Sequence, residues 1–148
     1  MHRRNLFQAA FASLGAVFAT AAVSRAQAAT PDRSKVVYHL NDTDKVLFVI
    51  GNIENHIEGV GGPDKVTIAL VVHGPALRSF HAASANPDVK NRLATFAKSG
   101  VELGACGNTM KSQKVTEKDL LPGFVSLEKG GVVRIAELQS QGYVYLRP

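Results

Sequence analysis

A single cysteine, Cys106, stands among the 148 residues, so no disulfide can close within the chain. Nor does the chain hold a CxxC pair, a GxGxxG turn, a Walker loop or the GxSxG elbow of serine hydrolases. Those absences exclude the common dithiol, dinucleotide, nucleotide and serine-nucleophile sites and leave no cofactor implied. Metal chemistry is also poorly served. Asn52 and His56 fall one helical turn apart, but no carboxylate motif joins them to complete a tetrahedral set. Their pairing suits a helix-packing or subunit interface, or a ligand contact. His39 and His81 show no spacing that singles them out.

Positive charge is scarcer than the composition suggests. The net charge of +5 includes Arg3, Arg4 and Arg25, and residues 1–28 hold no acid, so the chain beyond them carries only +2. That balance gives no electrostatic reason to expect nucleic acid or an anionic membrane as partner. Those first residues have the layout of an export signal: paired basic residues, an apolar stretch from Ala9 to Val23, and the small-x-small exit Ala26-Gln27-Ala28. Arg3-Arg4 ahead of Leu6 and Phe7 points to the twin-arginine route, with the general secretory route as alternative because His2 departs from the consensus. The apolar stretch is shorter than the ~20 residues that span a bilayer. Cleavage near Ala28 would leave one periplasmic domain over residues 29–148, free of the membrane, behind a loose leader around Pro31.

The rest of the chain alternates between two periodicities. Lys35 to Leu40 reads as a strand, and Asn41 to Asp44 as the start of a helix carrying Val46, Val49, Ile50, Ile53, Ile57 and Val60 on one face. Val66 to Val72 is an unbroken apolar run, as in a strand buried on both faces. A short helix over Leu77–Ala83 follows, then a longer one entered at Asn86-Pro87 with Val89, Leu93, Phe96 and Ala97 inward. Val101 to Cys106 is the next buried strand, leading to a short helix through Met110–Gln113 that Asn108 and Thr109 can cap. Thr116 to Leu121 reads as another short helix, Phe124 to Leu127 as a strand. Val132, Ile135 and Ala136 mark the last helix, and Tyr143 to Leu146 the last strand. Alternating strands and helices predict a three-layer α/β domain of flavodoxin-like character, a mostly parallel sheet with helices on both faces.

In such sheets ligands gather beyond the carboxyl ends of the strands. Two central strands end there in His73-Gly74-Pro75 and Cys106-Gly107-Asn108-Thr109. If they are neighbours, His73 and Cys106 share a rim, and Gly107 admits a close approach to the backbone. A thiol ahead of a helix N-terminus, with Lys111 and Lys114 nearby, favours the thiolate, the form that attacks sulfur. Two readings of Cys106 stand open, a small core residue or a reactive thiol. His73 is either a histidine bonded to backbone or a group that moves a proton.

The run Val101-Glu102-Leu103-Gly104-Ala105-Cys106-Gly107-Asn108-Thr109 resembles the cysteine strand of the DsrE/DsrF-like family. Val71-Val72-His73-Gly74, Leu120-Leu121-Pro122-Gly123-Phe124 and Gln141-Gly142-Tyr143-Val144-Tyr145 extend the resemblance over Lys35 to Pro148. It implies a parallel-rich α/β fold and assembly into homo- or hetero-oligomers, often trimers or hexamers. It also implies a persulfide on the strand-end cysteine, a role that falls on Cys106, since the family's best-understood members are sulfur-relay proteins. The expected function is thus a periplasmic sulfur carrier, sulfurtransferase-like, using Cys106 with His73, Gly74, Gly107 and Asn108. Its partners would be a reduced sulfur compound and an acceptor thiol protein. The alternatives are a non-catalytic oligomeric protein that binds a small ligand near Asn52, His56 and His73, and a metal or redox sensor.

Overall fold

The apolar run at 66–72 fixes the centre of the molecule. The computed structural model describes residues 33–148; the signal segment 1–28 and the leader at Pro31 lie outside the described residues. Strand β2 (Val66–Val72) has β1 (Ser34–Leu40) on one side and β3 (Glu102–Cys106) on the other. β4 (Phe124–Leu127) adds beyond β3, and β5 (Val144–Leu146) beyond β1. The order is β4-β3-β2-β1-β5 and every pairing is parallel. Six of the seven β2 residues are buried, as a strand covered on both faces requires.

Helices α1 (Val46–Gly59) and α2 (Pro87–Lys98) carry the chain stepwise from β1 to β3. Both add inward residues, Val49, Ile50 and Ile53 from α1 and Val89, Leu93 and Phe96 from α2, to one large cluster with Tyr38, Leu70, Val72 and Leu103. Between β4 and β5 the chain reverses direction across the whole sheet. Right-handed crossovers then force the connecting helix onto the opposite face. That helix, α4 (Gly131–Ser140), buries Ile135 and Leu138 against Val37, Ala69 and Val71. Alternation along each parallel strand thus sends successive side chains to the α1/α2 side and the α4 side.

Local chemistry explains the element starts. Asn86 caps α2 by accepting the Asp88 N–H at 2.8 Å, with Pro87 pre-set for the first turn. The helix expected over 77–83 is instead a 3-10 segment, Gly74–Phe80, which buries Ala76, Leu77 and Phe80. The one expected over 116–121 shrinks to a 3-10 turn, Glu117–Asp119, in which Thr116 and Asp119 cap each other. Ala97, Val132 and Ala136 face solvent, so the inward stripes are narrower than the apolar pattern suggested. No helix among the described residues is long and apolar enough to cross a membrane.

Leu70 is fully buried at the middle of the central strand. Leu70→Ala should cost ~2–5 kcal/mol of unfolding free energy, the transfer loss plus an unfilled cavity. Urea denaturation followed by circular dichroism measures it, and a midpoint matching that of the parent chain would refute this packing.

Candidate functional site

Neighbouring strands whose connections leave toward opposite faces open a crevice at their carboxyl ends. Here that place lies between β3 and β4. β3 runs directly into α3 (Gly107–Gln113), whose Met110 joins the α1/α2-side cluster, whereas β4 leads to α4 on the far side. Cys106 ends β3 at this point and is itself the N-cap of α3. Asn108 and Thr109 therefore sit inside the helix rather than capping it.

The loop from β4 closes around the thiol because two residues lack a Cβ. A Cβ on Gly131 would stand 3.3 Å from the Cys106 Cβ, 3.6 Å from the His73 Cβ and 3.2 Å from a Val71 methyl. A Cβ on Gly107 would meet the Leu127 carbonyl oxygen at 2.9 Å. The close approach that Gly107 permits is thus used by the chain's own β4 loop, which brings the Gly131 N–H to the sulfur.

Burial pushes the Cys106 thiol up, since the charged form loses water. Against it act the nearby N–H groups of Gly131 and Thr109, the Thr109 hydroxyl and the Asn108 N–H, and the net position lies below the ordinary thiol range. The donors are backbone groups and Thr109, not Lys111 or Lys114. Cys106 is 7 % exposed. It is nearly enclosed, with these donor groups beside it. Those donors favour a sulfur anion.

Thr109 ties the neighbouring strand to the same centre. The Gly74 N–H donates to its hydroxyl oxygen at 2.9 Å, and the Gly74 carbonyl accepts from the Gln113 side chain at 2.9 Å. β2 and β3 are adjacent, with Val72 opposite Ala105, so His73 and Cys106 do emerge side by side. They flank Gly131. Gly107 and Asn108 begin α3, where Asn108 is exposed and its amide nitrogen would lie 3.0 Å from a Cβ on Gly130.

Asn52 and His56 belong to a different place. α1 covers the face opposite α4, and there His56 Nδ1 meets the hydroxyl of Tyr38 at 2.9 Å. The Asn52 amide nitrogen is buried with no partner among the described residues. The fold brings neither residue to the Cys106 rim. Among the described residues no group of three histidine, cysteine or carboxylate side chains is placed to hold a metal ion.

Sequence reasoning missed His39 and Tyr145 as partners of His73. His39 and His73 meet through their Nε2 atoms at 2.5 Å, and Tyr145 reaches His39 Nδ1 at 2.6 Å. It also missed the dependence of the thiol on Gly131, which lies 25 residues downstream. His39 and Val37 alternate onto one strand face, which was readable, but pairing that face with Tyr145 required knowing that β5 lies next to β1.

Thr109→Val removes one donor from the sulfur and keeps the side chain's shape. Weaker stabilisation of the thiolate moves its ionisation toward higher pH. Alkylation of Cys106 by iodoacetamide at neutral pH should slow about ten-fold, since a hydrogen bond to a charged group is worth ~1.5–3 kcal/mol. A pH–rate profile superimposable on that of the parent would show that the hydroxyl does not hold the anion.

The same arrangement of elements occurs in known structures. A protein of unknown function from Methanobacterium thermoautotrophicum superposes with a TM-score of 0.68 at 26% sequence identity, over 78% of this chain and 99% of that one. The ychN protein from E. coli gives 0.58 at 13% identity, over 78% of this chain and 99% of its own. A conserved protein of unknown function from Bacteroides thetaiotaomicron gives 0.58 at 14%, covering 81% and 99%. The last two likenesses concern the fold alone. No curated protein matches the chain in sequence. The family model for the DsrE/DsrF-like family matches residues 12–148, the whole domain described above with its cysteine strand. The chain belongs to the DsrE/DsrF-like family.

Proposed function

We propose that Cys106 is a sulfane-sulfur carrier. The observation behind this reading is the set of four donor groups near one sulfur at the carboxyl end of β3, which hold its thiol below the ordinary range. Donors so placed favour an anionic sulfur, either the attacking thiolate or the persulfide that follows. In the step proposed, the Cys106 thiolate attacks the outer sulfur of a polysulfide or thiosulfate. A new sulfur–sulfur bond forms as the old one breaks, and a shorter polysulfide or sulfite leaves with the electron pair. The displacement needs no external oxidant. An acceptor thiolate then attacks the outer sulfur of the Cys106 persulfide and regenerates the starting thiolate.

The export-signal reading of residues 1–28 belongs to this proposal and places the carrier in the periplasm, where the acceptor would be a thiol of another exported protein. Assembly into a homo-oligomer belongs to it as well. The buried, unpartnered Asn52 amide and the exposed β5 residue Val144 favour a contact on the α1 side, away from the thiol. That contact is also what a purely non-catalytic assembly protein would use.

Intact-mass spectrometry after incubation with polysulfide or thiosulfate tests the carrier. One or more sulfur atoms should add at Cys106, be removed by dithiothreitol, and not add to Cys106→Ser. No gain of sulfur from either donor, while iodoacetamide still alkylates the thiol, would overturn the reading.

A further inference from the structure

The α4 side of the sheet carries a second constellation at the same rim. Val37 on β1 and Val71 on β2 pack under α4. His39 and His73 follow them by two residues and so leave on the same side, and Tyr145 on β5 stands opposite Val37. The three side chains form an unbroken line: Tyr145 hydroxyl to His39 Nδ1 at 2.6 Å, then His39 Nε2 to His73 Nε2 at 2.5 Å. The imidazole centres are 4.7 Å apart and the planes differ by 21°. With the nitrogens 2.5 Å apart, that spacing is the nitrogen separation plus about one ring radius at each side. The rings therefore meet end to end rather than face to face. A metal ion bonded at ~2.0–2.1 Å to each nitrogen would hold collinear nitrogens ~4 Å apart. At the observed spacing the two nitrogens are placed to share one proton.

Proton bookkeeping in this line allows two arrangements. In one, Tyr145 donates to His39 Nδ1, His39 Nε2–H donates to His73 Nε2, and His73 carries its only ring proton on Nδ1. In the other every proton has moved one place: His73 Nε2–H donates to His39, His39 Nδ1–H donates to Tyr145, and His73 Nδ1 is a bare acceptor. Passing from the second to the first needs one proton supplied at His73 and one released from the exposed Tyr145 end. His73 and Cys106 flank Gly131: a Cβ there would stand 3.6 Å from the His73 Cβ and 3.3 Å from the Cys106 Cβ.

We propose that His73, His39 and Tyr145 are a proton relay for the Cys106 site. His73 Nδ1 takes the thiol proton as the sulfur ionises, and one proton leaves through the Tyr145 hydroxyl to solvent. The reverse shift returns a proton to the sulfur fragment displaced from the donor. His73 is the group that serves the sulfur; His39 and Tyr145 are positioning residues that set its tautomer. The role rests on the carrier reading, but the relay acts on thiol ionisation and can be tested without a sulfur donor.

The charged and titratable groups around the pair are Cys106 on β3, Tyr145 on β5, and Arg147 and Asp42, which meet each other at 3.4 Å. Burial, the neighbouring His73 and Arg147 push His39 down to about 4, against the opposing pull of Asp42. His73 is lowered too, by burial first and then by Arg147. Both shifts favour neutral imidazoles, the form that both arrangements require.

The full exported chain and its His39→Phe and Tyr145→Phe variants give the test. Nitrogen NMR of the histidine rings reads the His73 tautomer, and iodoacetamide alkylation across acid to neutral pH reads Cys106. With a relay, His39→Phe frees His73 Nε2, its titration moves up toward that of an ordinary histidine, and the Cys106 pH–rate profile shifts with it. Tyr145→Phe changes only an exposed hydroxyl, keeps the test valid should His39→Phe misfold, and should shift both signals the same way by a smaller amount. An unchanged His73 tautomer and an unchanged Cys106 profile in the variants that fold would overturn the relay. So would a stoichiometric zinc ion in the parent that is lost in His39→Phe. Failure of the parent chain to take up sulfur from either donor, with both shifts present in the variants, would instead count against the carrier reading alone.

Discussion

The interaction on which the site depends is the close approach of the Gly131 backbone to Cys106, which sets its N–H against the sulfur. It joins the end of β3 to the start of α4, two segments that meet only because the chain reverses direction after β4. A buried thiol in hydrocarbon holds its proton. The same thiol given a donor from α4 and three more from α3 becomes a place where negative sulfur is favoured. Gly107 and Gly131 make that meeting possible at the level of single atoms: each stands where a Cβ would press on Leu127 or on Cys106 and Val71. Topology brings the loops together, and the missing side chains let them touch.

The thiol and the histidine line sit on one face of the sheet, and the α1/α2 cluster fills the other. This division separates tasks. The larger cluster, with Phe80, Phe96, Leu70 and Leu93 fully buried, supplies most of the apolar burial. The α4 side has a small core, Val37, Ala69, Val71, Ile135 and Leu138, and gives the rest of its area at the rim to polar groups. Thr109 links the two central strands there, accepting from Gly74 while its hydroxyl helps hold the thiol low. A change at the end of β2 therefore reaches the thiol through one hydroxyl as well as through His73.

Much of this was legible in the order of residues. The run at 66–72, the Asn86-Pro87 entry and the cysteine at the end of an apolar strand marked β2, α2 and the rim that holds Cys106, because burial and capping act locally. The juxtaposition of His73 and Cys106 was legible as a conditional, since it needed only that β2 and β3 be neighbours. Other features depend on register and strand order. Nothing local distinguishes His39 from His81, yet one meets His73 and the other bonds Gln113. Asn52 and His56 shared a helix face as expected, but the hand of the crossover places that face on the side away from the thiol. The donors to the sulfur are mostly backbone N–H groups, which leave no mark in composition.

The account stands on a thiol that ionises more readily than a free cysteine although it is nearly enclosed. Thiolate ultraviolet absorbance, followed against pH in the folded protein with Cys106→Ser as blank, measures this directly. The account predicts a single step centred below that of the same protein unfolded in denaturant. A step at or above the unfolded value would mean that burial outweighs the four donors, and the centre described here would be an inert core cysteine.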